Sequence, residues 1–313
     1  MLQLRFVGRR VLLAIPSLFA ISLLSFLMLR LSPGDPARVI AGPRATVQTL
    51  LAIRTQMGLD QPIWIQYVRY LGRVVRGDFG ENLTGSQTVS QVIGQSVGVT
   101  AYLVLGAALL TAAISIPLAV LGARRPDGMF DSAVRVFSVG GLALPSFWVG
   151  LMLVSYLALP TNLFPVGGWP DTAPGQLRAI ILPSFTLAVS MAPILIRSLR
   201  SSLIEVQNAD YVKAGRAMGV TGFALTRRFV ARNAAVPTVP VIATVIGFLI
   251  GGTVIIESTF DLPGLGSALV QAAQTRDTNV VQGITLVLGA AVIVIYLIAD
   301  VGLTLIDPRV KVS

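Results

Sequence analysis

Neither histidine nor cysteine occurs among the 313 residues, so imidazole acid–base catalysis, thiol nucleophiles, disulfides and zinc–thiolate sites are excluded. The two lysines, Lys213 and Lys311, lack the Gly-x-x-x-x-Gly-Lys-Ser/Thr setting that cradles a nucleotide phosphate, which excludes ATP hydrolysis by this chain alone. No catalytic residue and no metal site is expected, and any energy source must come from a partner. The chemistry that remains is recognition, and it concentrates in Glu205 to Pro237, EVQNADYVKAGRAMGVTGFALTRRFVARNAAVP. This island carries Lys213, Arg216, Arg227, Arg228 and Arg232 against Glu205 and Asp210. Residues Ala209 to Met218 hold good helix formers and no proline, and Gly219 stands where a left-handed cap ends a helix. The pattern predicts a short helix, a turn at Gly219 and a second helix from about Thr221. Ala209, Ala214, Gly215 and Ala217 leave little bulk beside the backbone, which suits insertion into a groove on a partner. An ordinary basic loop between membrane helices carries the same charge.

The elements that must position this island are apolar. The chain is 54% hydrophobic and 12% charged, against about 25% charged residues in soluble domains. Six windows are free of charge: Val11 to Leu29, Val99 to Ala123, Val136 to Leu159, Ala179 to Ile196, Asn233 to Ile256 and Asn279 to Ala299. Each has about the 20 residues that cross the hydrocarbon as a helix. An all-α membrane protein of six transmembrane helices follows, a single transmembrane domain over 1–313 with both termini on one side. The net charge of +10 is no sign of nucleic acid. The loops and tails on the terminal side hold 15 Lys or Arg, whereas the two short opposite loops hold one each, Arg178 and Arg276. That bias predicts cytoplasmic termini in a multi-pass protein of the cytoplasmic membrane, with a cytoplasmic loop over residues 200–236 around the basic island and residues 31–98 as an extracytoplasmic insertion after the first helix.

Several further residues stand out. Ser32–Pro36 should stop the first helix abruptly, and Trp64, Tyr67 and Tyr70 form an aromatic stripe for packing on the bilayer interface or on the rest of the insertion. Pro145, Ser146 and Trp148 lie mid-span, where a proline frees a carbonyl that protein or water must satisfy; they are candidates for a pore wall or a packing kink. Gly251, beside Gly247 and Gly252, suits close helix packing or a seam between subunits. Glu257, a carboxylate at the membrane edge, is a candidate path residue or a group solvated by the outer loop. Arg197 and Arg200 read as anchors reaching the headgroups, Asp300 as a charge near the cytoplasmic interface, and Arg124–Gly128 as a tight turn with no chemistry.

DYVKAGRAMG followed by RNAAVP resembles the cytoplasmic coupling loop of ABC-transporter permeases, in the form found in oligopeptide and dipeptide importers. Importers generally have Glu-Ala-Ala, three residues, Gly, nine residues and Ile-x-Leu-Pro there. Here Lys213-Ala214-Gly215 replaces Glu-Ala-Ala, Gly219 keeps the glycine, and Val236-Pro237 comes several residues late. Arg76–Gly80, Arg276-Asp277, Val281-Gln282-Gly283 and Asp307-Pro308-Arg309 also look like the peptide-permease pattern, so the likeness runs from Arg9 to Arg309. It implies the type I ABC importer permease fold and a non-enzymatic subunit moving di- or oligopeptides, with nickel-chelate or glutathione import as the family's alternative. It also implies a homologous second permease, two ATPase subunits that bind ATP and Mg, and an extracytoplasmic substrate-binding protein. By the same likeness, Ala209, Asp210, Tyr211, Lys213, Ala214, Gly215, Arg216, Ala217 and Gly219 couple to the ATPase. Two rivals are weaker. An ion-coupled secondary transporter should show internal repeats and mid-span charges, and neither is evident. An intramembrane enzyme would need facing carboxylates, and Glu257 and Asp300 fall near opposite membrane faces.

Overall fold

The computed structural model describes residues 2–31, 36–41, 45–56 and 58–306. The expected helix stop at residues 32–35, Met57 and the Asp307–Arg309 motif lie outside them. The described chain is helical: α1 (Leu2–Leu31), α2 (Pro36–Ala41), α3 (Val47–Gln56), α4 (Ile63–Val74), α5 (Val89–Arg124), α6 (Met129–Ala143) and α7 (Ser146–Leu153). A π-helical turn, Val154–Ala158, leads to α8 (Leu159–Thr161); then come α9 (Ala173–Gln207), α10 (Asp210–Ala217) and α11 (Gly222–Leu225). A second π-helical turn, Thr226–Ala231, opens α12 (Arg232–Thr259), followed by α13 (Leu265–Thr275) and α14 (Thr278–Ile306).

Among the described residues, α1, α5, α9, α12 with its preceding turn, and α14 are each long and apolar enough to cross a membrane. The expected third span is a broken pair, α6 and α7, bent by 98°. Proline disfavours helical geometry in the residue before it. Leu144 is accordingly extended at φ −85° and ψ 127°, and Pro145 serves as the N-cap of α7. Its carbonyl accepts the N–H groups of Trp148 and Val149. The expectation of a kinked but continuous span is thereby corrected: the chain turns at Pro145. The fifth helix starts at Val89, ahead of the uncharged window, because Thr88 and Gln91 form a reciprocal capping box.

The centre of the bundle is α9, whose most apolar window is 72% buried, against 33% or less for the other long spans. Three neighbours approach it through glycine. A Cβ at Gly106 of α5 would lie 2.6 Å from Ser184 Oγ, one at Gly141 of α6 2.9 Å from Pro193 Cγ, and one at Gly252 of α12 2.9 Å from Leu187 Cδ2. Small residues let backbones meet closely in this way. Around these crossings Leu103, Leu187, Leu249, Ile256 and Phe260 fill one core. A second core, with Ala119, Leu203, Val212, Leu225 and Val230, sits under α10.

Candidate functional site

The basic island folds into an elbow between α9 and α12. Asn208 and Ala209 alone separate α9 from α10. Ala209 is the extended N-cap, at φ −68° and ψ 145°, and its carbonyl accepts the N–H groups of Val212 and Lys213. Asp210 lies in the first turn and Arg216 in the last, each the favourable charge for that end of the helix dipole. The helix then stops on Gly219, at φ +85°. The Gly219 N–H donates to the Arg216 carbonyl and the Val220 N–H to the Gly215 carbonyl, the paired bonds of a Schellman cap. The expected helix and turn are therefore present. The next helix starts at Gly222, itself at φ +60°, a second left-handed glycine that the sequence reading missed.

The elbow has two faces. Val212 is fully buried in the core beneath it, and Gly215 is buried too; a Cβ there would lie 3.4 Å from Leu225 Cδ1 and 3.6 Å from Phe229. Gly215 thus seats the helix on its own chain, which corrects the expectation that it faces a docking partner. Asp210, Tyr211, Lys213, Ala214, Arg216, Ala217 and Met218 are exposed. The Lys213 ammonium lies 3.1 Å from the Asp210 carboxylate on that open side.

The remaining candidates are not brought together. Pro145, Trp148 and Gly251 are exposed and Ser146 is half-buried. Glu257 is fully buried, which overturns its expected solvation by the outer loop. Thr100 Oγ1 donates to Glu257 Oε1 at 2.6 Å, and the N–H groups of Gly266 and Ser267 donate to Oε2 at 2.7 and 3.1 Å. Those two amides open α13, where orphan N–H groups and the helix dipole favour an anion. Thr100 Oγ1 also accepts the Leu265 N–H at 2.8 Å. A Cβ at Gly264 would overlap the Glu257 carboxylate, and one at Gly266 would lie 2.5 Å from Val254 Cα. The run Pro263-Gly264-Leu265-Gly266 was the available signal that the chain doubles back onto Glu257.

Sequence reasoning also missed Asp131. It is buried at the start of α6 and held by Arg200 of α9 in a bidentate pair, Nε to Oδ1 and Nη2 to Oδ2 at 2.6 Å. The Asp127 N–H adds a bond at 3.0 Å and Arg135 Nη2 lies 3.4 Å away. Arg200 is therefore no headgroup anchor, and the turn before α6 is part of a charge network. Asp300 of α14 pairs with Arg10 of α1 at 2.8 Å. On the opposite side of the bundle Asp277 accepts the N–H groups of Leu83 at 2.7 Å and Val280 at 3.2 Å, tying the loop before α5 to the start of α14.

Comparison with known proteins places this architecture. Residues 115–312 match the family described as binding-protein-dependent transport system inner membrane component, and residues 3–102 match its N-terminal companion. A Brucella abortus (strain 2308) protein named as a peptide transport system permease is 38% identical over 97% of this chain and 98% of its own length. The oligopeptide transport system permease protein AppB of Bacillus subtilis (strain 168) is 34% identical over 98% and 99%. A chain of the inward-facing MetNI methionine ABC transporter superposes with a TM-score of 0.57 at 17% identity, covering 69% of this chain and 97% of that one. That likeness is one of fold, the type I ABC importer permease fold. On the family match and the full-length relatives, the chain belongs to the binding-protein-dependent transport system inner membrane component family, the membrane-spanning permease subunits of ABC importers.

Proposed function

We propose that this chain is the permease subunit of a di- or oligopeptide importer and that α10 with its Gly219 turn is the surface docked by the ATPase subunits. The observation that carries the docking assignment is the two-faced elbow. Val212 and Gly215 fix α10 to the chain's own core, while Tyr211, Ala214, Ala217 and Met218 remain open. Peptide as cargo is supported by the names of relatives that align over nearly the whole chain. Members of the family are transporter components rather than enzymes, so ATP and Mg belong to two partner ATPases. A homologous second permease would complete the path, with Pro145, Ser146, Trp148 and Gly251 as its candidate residues in this chain, and an extracytoplasmic binding protein would deliver the peptide. The charge bias supports cytoplasmic termini in the cytoplasmic membrane, with residues 200–236 inside and 31–98 outside. Coupling is then mechanical, since movement of α10 reaches α9 across two residues.

The test is the pair Ala214→Trp, which fills the open face, and Gly219→Val, which forces a β-branched residue into left-handed geometry at a cost of about 1–3 kcal/mol. Both chains should insert at wild-type levels, lose co-purifying ATPase subunits and lose uptake of labelled dipeptide in whole cells. Wild-type association and uptake by both variants would refute the assignment.

A further inference from the structure

The short helix α4 lies at an unexpected depth. Tyr67 packs edge-on against Phe19 with ring centroids 5.6 Å apart, and its hydroxyl shares a 2.8 Å hydrogen bond with Ser22 Oγ. Tyr67 and Tyr70 also pack on Phe26 as tilted rings, with centroids 5.3 and 5.7 Å apart. Phe19, Ser22 and Phe26 belong to the membrane-crossing part of α1, Gly8–Leu27. Phe19 precedes Leu27 by eight residues, which at 1.5 Å per residue is about 12 Å. The helix is thus clamped alongside the far end of the first span, not held above it.

What α4 leaves open fits that depth. Trp64, Val68 and Val75 are 67%, 65% and 85% exposed. At 100° per residue Trp64 and Val68 share one flank of the helix, next to the face that Tyr67 and Tyr70 press on α1, and Val75, its C-cap in helical geometry, continues that flank. Arg69 and Arg73 occupy the side away from both, Arg76 follows in the turn after the helix, and no acidic residue lies between Asp60 and Asp78. An apolar flank containing tryptophan beside a basic face is the pattern of a helix lying in the membrane interface, its apolar side sunk about 5–10 Å below the headgroups.

We propose that α4 is an in-plane membrane helix of the leaflet away from the N-terminus. Trp64, Val68 and Val75 contact the upper acyl chains, and Arg69, Arg73 and Arg76 pair with phospholipid phosphates. The assignment of that leaflet as the outer one rests on the sidedness proposed above. The partner is therefore a lipid surface bearing anionic headgroups, and the role is to hold the first span upright beside the rest of the chain.

Because the chain has no cysteine, Val68→Cys and Gln87→Cys can be introduced singly into the full-length protein in intact cells. Membrane-impermeant maleimide should modify Gln87→Cys and react about tenfold more slowly with Val68→Cys, while a lipid-soluble maleimide reaches both. In parallel, the wild-type chain is reconstituted in phosphatidylethanolamine–phosphatidylglycerol vesicles containing lipid brominated near the top of the acyl chain. Its tryptophan quenching should fall when exposed Trp64 is replaced by Phe. Equal impermeant labelling at both cysteines overturns the proposal. So does bromolipid quenching unchanged by Trp64→Phe, which would mean that water or another protein covers this flank. Failure to label Gln87→Cys from outside refutes the sidedness alone, because the quenching arm still judges lipid contact.

Discussion

Asp131 and Glu257 are both buried, at 1% and 0% exposure, yet the chain neutralises them by different means. Asp131 meets a guanidinium from 69 residues away, with Arg135 as a second cation. Glu257 is met by uncharged donors. It accepts one hydroxyl from Thr100 and two backbone N–H groups from the first turn of α13, nine and ten residues on. The ionic arrangement depends on a single long side chain and ties α6 to α9. The neutral arrangement depends on the path of the backbone, which Gly264 and Gly266 allow to close onto the carboxylate. The first should therefore fail when one side chain is removed, and the second should tolerate losing its charge better than losing its acceptors.

The largest effect expected is at Asp131. Asp131→Ala strands the mostly buried Arg200 guanidinium and should cost about 3–5 kcal/mol, whereas the double variant Asp131→Leu with Arg200→Met should recover most of that. Thermal unfolding in detergent, followed by loss of the monodisperse peak, reads both; a double variant no better than the single one would break the ionic half of the comparison. Glu257→Gln should cost less, about 1–3 kcal/mol, because its oxygen can keep the two α13 N–H groups while its NH2 faces Thr100 Oγ1, whose own O–H then loses its acceptor. The same melt checks it, and a loss exceeding that of Asp131→Ala would show that charge, not geometry, dominates there. The smallest effect is expected for Arg135→Gln. Arg135 is half exposed, the bidentate Arg200 pair is untouched, and a shift worth about 0–1 kcal/mol is typical of such a contact. A shift as large as that at Asp131 would mean the two arginines act as one unit.

The elbow between α9 and α12 was the most legible region, because its signals are local. A glycine after a proline-free helical stretch specifies the cap at Gly219 through backbone sterics alone. The side to which Gly215 faces was not legible, since that depends on Leu225 and Phe229 arriving from the next helix. Hydropathy located the long spans but was blind to the turn at Pro145, because an apolar window has no direction. Arg200 looked like an anchor because an arginine near a span end usually is one. Its true partner lies across a tertiary contact that no spacing rule reports. Glu257 was noticed as a carboxylate and misjudged in its surroundings, which are created by the chain folding back at Gly264.

The three glycines that bear on α9 carry a mechanical consequence. At 35 residues, α9 is a shaft about 52 Å long, enclosed on several sides and ending two residues from α10. Interlocking side chains would gear it to its neighbours and resist any slide along its axis. Gly106, Gly141 and Gly252 instead let neighbouring backbones close in at Ser184, Pro193 and Leu187, three contacts gathered within ten residues near its middle. Under the coupling proposed above, a push on the elbow would reach this girdled stretch along one continuous helix, past the Asp131–Arg200 pair that ties it to α6.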